Sequence, residues 1–97
     1  MIIINTTYHV SKVVDKDWLN WVNKIYVPKV ISTGILLNPR LMRVFVEKEE
    51  NAEVYALQFE VENFEKLEYW SDHFSKELKT EMKDIFAERV LGFTTVM

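Results

Sequence analysis

Ser71, Asp72 and His73 are adjacent in the chain, and a hydrolase uses these residue types as nucleophile, orienting acid and base. Their spacing defeats that chemistry. The segment reads as helix, where successive side chains point about 100° apart, so the three cannot relay a proton. His9 and His73 fall on different elements with no third ligand spaced to join them, so no metal and no cofactor are expected. Glu49–Glu50 is a charged run, whereas acid/base work on a glycosidic bond needs carboxylates opposed across a substrate. Gly34 and Gly92 are too far apart to build a phosphate loop. Arg40 and Arg43 offer charge to an anionic ligand or to an acidic surface.

Any such chemistry needs elements to position it. The 97 residues suit one domain, so residues 1–97 are expected to form a single fold. Two glycines and two prolines favour long regular elements joined by short loops. With no cysteine, disulfides and thiolate metal sites are excluded, and a reducing compartment fits. Asn5, Thr6 and Thr7 end the opening apolar run, and no stretch approaches the roughly 20 apolar residues of a bilayer span. The expectation is a cytoplasmic protein without a membrane partner. A net charge of −3 also argues against nucleic acid as a partner, because phosphate binding needs a positive field. Residues 1–46 carry six Lys/Arg against two acids, and residues 47–97 six against 13, so any acidic docking surface falls in the second half.

The order of elements is β-α-β-β-α-β. Residues 2–10, β-branched and aromatic throughout, predict a first strand apolar on both faces. Asp15 is the expected N-cap of a first helix carrying Trp18, Val22 and Ile25 on its inner stripe, flanked by Trp21 and Tyr26. Pro28 should kink that helix near residues 24–27 or end its regular part, and Gly34 should terminate it in a left-handed conformation. A bend at Asn38–Pro39 precedes a second strand over 40–48, and a charged turn leads to a third over 54–61. Asn63 caps a second helix running to about residue 88, with Phe64, Leu67, Phe74, Leu78 and Ile85 on one stripe, Trp70 and Met82 on opposite flanks, and a drift toward Phe86 that predicts a bend near 77–81. Residues 90–97 form the last strand. The fold class is therefore α+β, a ferredoxin-like sandwich with a four-stranded antiparallel sheet and two helices on one face.

Two helices cover only one face of such a sheet. The other face still carries apolar or small side chains, among them Val54 and Ala56, either Leu41 with Phe45 or Met42 with Val44 and Val46, and at least Ile3 or Ile4. Soluble monomers seldom leave patches above a few hundred Å² bare. A face-to-face contact burying about 1,000 Å² of apolar surface would yield about 25 kcal/mol before entropy costs. A second copy supplies it most simply, since a two-fold axis makes one patch self-complementary. Phe45, Val54 and Ala56 are the expected interface residues of a homodimer.

The opening MIIINTTYHV, the YVPKV segment, the NPRLMRV strand, LQFEVEN and the closing VLGFTTVM resemble a family of small bacterial proteins labelled only as a domain of unknown function. That family belongs to the dimeric α+β barrel superfamily. The resemblance covers the whole chain and implies the fold and a sheet-to-sheet dimer, but no activity. Haem-degrading members of the superfamily use a strand-one Asn, a helix-two Trp and a His ligand three turns beyond it. Asn5 and Trp70 are similar to the first two, but Thr80 and Glu81 stand where the imidazole would be, which removes the iron ligand.

A pocket between helices and sheet remains to be weighed. If the odd residues of strand one face the helices, Asn5, Thr7 and His9 approach Trp70 and His73. If the even ones do, Thr6 and Tyr8 take their place. Asn5, His9, Trp70 and His73 are the candidate ligand-binding set, although Trp70 equally suits a core and His73 a solvated boundary. Three functions stand open: a homodimeric small-molecule-binding or structural protein, a cofactor-independent monooxygenase-like enzyme acting on an aromatic substrate, and an adaptor docking through the acidic side of helix two. A cleft of several hundred Å³ lined by Trp70 and a strand-one polar group would favour the enzyme, and a filled space would reject it.

Overall fold

The computed structural model describes residues 1–47 and 51–97. Strands β1 (Ile2–Ser11), β2 (Leu37–Val44), β3 (Ala52–Val61) and β4 (Val90–Val96) form one antiparallel sheet in the order β2-β3-β1-β4. The first helix, residues 15–32, connects β1 to β2, and the second, residues 64–86, connects β3 to β4. This is the ferredoxin-like arrangement. β1 lies inside the sheet, as a strand apolar on both faces must. The Glu49–Glu50 pair and the centre of the charged turn lie outside the described residues.

One end of each helix forms as its sequence dictates. The Asn63 side chain accepts the N–H of Lys66 at 2.8 Å, and a Glu62–Lys66 ion pair spans the same turn. Gly34, at φ 74°, closes the first helix with its N–H donated to the Ile31 carbonyl at 3.0 Å. Asp15 is not a cap. A 3-10 turn at Lys12–Val14 starts the helical path earlier, and the Asp15 carboxylate instead accepts the Tyr55 hydroxyl at 2.5 Å.

Each helix contains a π turn, Val22–Tyr26 in the first and Ser71–Ser75 in the second. The first ends two residues before Pro28, whose missing N–H the wider turn accommodates, so the helix continues to Ser32. A π turn inserts one residue, and in the first helix this carries the inner stripe from Ile25 to Tyr26. Tyr26 is therefore buried and Ile25 exposed; in the second helix Leu78 is buried with Met82 and Phe86, whereas Ile85 and, at the helix start, Phe64 are exposed. The irregular stretch of the second helix lies at 71–75, not near 77–81.

β2 begins at Leu37 rather than residue 40 and ends at Val44, with a register shift between Leu37 and Arg40. The Asn38–Pro39 bend is this irregularity, with Asn38 at φ 52°. An edge strand tolerates it, because Pro39 owes no N–H to an inner neighbour.

The register settles which way each strand faces. Tyr8 and Val10 are buried beneath the helices, alongside Tyr55, Leu57, Phe59 and Val61 of β3. At the centre of this layer, fully buried Trp18 lies 5.1 Å, ring to ring, from both Tyr8 and Tyr55. Ile3, Asn5, Thr7 and His9 occupy the opposite, uncovered face, beside Val54, Ala56 and Gln58 of β3 and Leu91, Phe93 and Thr95 of β4.

Candidate functional site

Even parity in β1 separates the four candidate ligand residues. Trp70 alone lines the space between the second helix and the sheet. Asn5 and His9 lie on the far side of the sheet, where Asn5 donates through Nδ2 to Thr7 Oγ1 at 3.4 Å and His9 meets Phe93 edge-on at 6.1 Å. His73 is exposed on the outside of the helix, stacked on Tyr69 at 4.0 Å with Nδ1 3.0 Å from the Tyr69 carbonyl oxygen. The expected Asn5–His9–Trp70–His73 cluster is therefore not brought together. The cause is register, since placing β1 one residue out of step would have turned all its odd side chains inward.

The expected interface residues also differ from one another. Ala56 lies on the uncovered face, partly exposed. Val54 shares that face but is only 4% exposed within the single chain, flanked by His9 and Val44. Phe45 follows the end of β2, 86% exposed, with its ring 5.6 Å from the Arg43 guanidinium carbon.

The space beneath the second helix is a cleft of about 1340 Å³, running along the helix on one side and β4 on the other. It exists because the two helices do not reach across to β4, whose helix-side residues Gly92, Thr94 and Val96 remain exposed. Trp70, Leu67, Met82 and Phe59 form apolar walls, and Tyr8, Thr6 and Tyr26 supply hydroxyls. The Thr6 and Thr94 hydroxyls are 3.0 Å apart. Burial first, and then the neighbouring Tyr26, push the Tyr8 phenol well above its ordinary pKa, and burial raises that of Tyr26 as well. Both are held as neutral donors. At the cleft's edge Ala87 takes φ 52° and ψ −134° just beyond the helix, a region costly for any residue with a Cβ.

Gly92 is the residue whose role here spacing could not reveal. A Cβ built on it would lie 3.0 Å from Tyr8 Cε1 and 3.1 Å from Cδ1. The Tyr8 ring is backed by Trp18 and cannot recede. Gly92→Ala is expected to cost about 1–3 kcal/mol in urea denaturation through overpacking. An unchanged midpoint would mean that the ring is free to swing into the cleft.

Among the described residues no three metal-ligating side chains gather, and no helix is long and apolar enough to cross a membrane.

Solved structures share this fold. A dimeric ferredoxin-like protein from an uncultured marine organism matches with TM-score 0.68 at 17% identity, over 99% of this chain and 92% of that one. HapK from Hahella chejuensis matches with TM-score 0.71 at 8% identity, over 100% and 90%. A Bacillus cereus protein provisionally described as an antibiotic biosynthesis monooxygenase matches with TM-score 0.62 at 11% identity, over 99% and 89%. At such identities the likeness establishes the fold. No curated protein matches the chain. The profile of the family described as a domain of unknown function, DUF4286, matches residues 1–97, and the chain belongs to that family.

Proposed function

We propose that this chain is a homodimeric binding protein for a small, largely apolar molecule held in the cleft between the second helix and β4. The observation that carries the reading is the cleft itself, about 1340 Å³ with Trp70 on its wall and the Tyr8 and Tyr26 hydroxyls beneath. Concave apolar space with a few convergent polar groups is the usual form of a ligand site. Homodimerisation uses the uncovered sheet face, with Ala56 and Phe93 within it and Phe45 at its margin. The exposed Leu91 and Phe93 side chains on that face support this pairing, since soluble monomers seldom leave such apolar patches bare.

The second reading, a cofactor-independent monooxygenase, draws on the same cleft, since Trp70 lines it together with the strand-one hydroxyls of Thr6 and Tyr8. Such chemistry needs a base to ionise the substrate. The cleft's carboxylates, Asp84 and Glu88, are exposed at its rim, and the groups buried beside Trp70 are the Tyr8 and Tyr26 phenols, which suit hydrogen bonding to a ligand carbonyl or hydroxyl rather than proton abstraction. Binding is the better account.

Calorimetric titration with 2-naphthol tests it. Micromolar binding is expected for the native protein, weakened at least tenfold by Trp70→Ala. No heat with the native protein, or equal affinity in the variant, would remove the cleft from consideration. Oxygen uptake with 1,4-dihydroxynaphthalene, lost in Tyr8→Phe, would favour the enzyme instead.

A further inference from the structure

The cleft differs from one end to the other. The second helix runs antiparallel to β4, so residues late in the helix face the start of the strand. At one end, Leu67 and Trp70 of the helix stand opposite Ile4 and Val96, all apolar. At the other, late in the helix and at the start of β4, the lining includes Lys79, Lys83 and Arg89 with Val90 and Gly92. Seven residues of β4 and the helix between Trp70 and Lys83 each give this gradient a length of about 20 Å.

Asp84 and Glu88 share the charged end, so three cations stand against two carboxylates. None of Lys79, Lys83 and Arg89 forms an ion pair among the described residues. In a chain of net charge −3, this mouth keeps a net positive charge of one, in a cleft that also holds the Tyr8 and Tyr26 phenols. Arg89 can grip a carboxylate with two parallel N–H bonds, and the lysines add point charge.

We infer that the ligand is an elongated amphiphile bearing a single carboxylate, its apolar body against Trp70 and Leu67 and its carboxylate at Lys83 and Arg89. The inference rests on reading the cleft as a ligand site and adds the ligand's charge, polarity and direction. A neutral ligand of equal length would leave those cations unmatched. A cationic one would meet repulsion.

Titrations of the full chain with decanoate, decanol and decylamine, followed by calorimetry at low salt, test this. Decanoate is expected to bind at least tenfold more tightly than decanol, with decylamine weakest. Raising the salt should narrow the difference, because the charged end is open to solvent. The double variant Lys83→Gln/Arg89→Gln should bind decanol as before and lose the preference for decanoate. Equal affinities for decanoate and decanol in the native protein would overturn the carboxylate while leaving the cleft a ligand site. Binding of none of the three would overturn the amphiphile, and the 2-naphthol titration then reports separately on the cleft. A preference for decanoate that survives the double variant would show that the carboxylate lies elsewhere.

Discussion

Phe93→Glu is expected to convert the protein from dimer to monomer. Phe93 and Leu91 are 63% and 53% exposed on the sheet face that neither helix covers. A two-fold axis would bring both copies of a substituted residue into one interface. Each buried, unpaired carboxylate costs several kcal/mol, so the dissociation constant should rise by about a thousandfold or more. Light scattering at tens of micromolar should then give twice the chain mass for the native protein and the chain mass for the variant, with unchanged circular dichroism. A native monomer, or a dimer indifferent to the change, would remove the assembly from the proposal. Val54→Lys is a poorer probe because Val54 is already enclosed within one chain, so lysine there should unfold the protomer before it separates two of them.

Trp18→Ala is expected to have the largest effect on stability. The indole is fully buried and packs 5.1 Å from the Tyr8 and Tyr55 rings, ring centre to ring centre. Truncating such a side chain costs about 3–5 kcal/mol, against a total of about 5–15 kcal/mol for a domain of ordinary stability. One term works the other way. The Trp18 indole N–H has no acceptor among the described residues, and removing a buried unpaired donor returns about 1–3 kcal/mol. The net loss should therefore fall in the lower half of the range, and Trp18→Phe, which keeps a ring and sheds the N–H, should lose under about 2 kcal/mol. Urea denaturation of both variants separates the terms. If phenylalanine proved as damaging as alanine, the N–H must be satisfied and the packing account incomplete. Tyr8 forms the base of the cleft and leans on Trp18, so the alanine variant should also bind 2-naphthol less tightly.

The residues that betray the fold do so through local signals. β-branched runs mark β1 and β4, alternation marks β3, and Asn63 and Gly34 mark a helix start and a helix stop. Each depends on a few neighbouring residues, and all were readable in the chain. The inner face of each helix was readable only in part, with Trp18, Val22 and Leu78 inside as expected. Periodicity set Ile25 and Ile85 on the inner stripes and Tyr26, Met82 and Phe86 at their margins, whereas in the helices carrying the π turns at Val22–Tyr26 and Ser71–Ser75 the first two are exposed and the last three buried. Asp15 had the chemistry of a cap, but its carboxylate was claimed by Tyr55, 40 residues away.

The candidate site divides along the same line. Trp70 was identifiable as a large aromatic on the inward side of a helix, and it does line the cleft. Its companions were not, because whether Asn5 and His9 or Thr6 and Tyr8 face the helices is a choice of parity set by pairing with β3 and β4.

Composition and the order of apolar periods determined the number, type and sequence of the elements, and with them the ferredoxin-like fold and its uncovered sheet face, since these follow from short-range chain preferences. Only the tertiary structure decided which edge of β1 looks inward, where a π turn shifts a helix face, and that the helices stop short of β4 to leave a cleft. Those outcomes depend on contacts between residues distant in the chain, where a displacement of a single residue reverses the result.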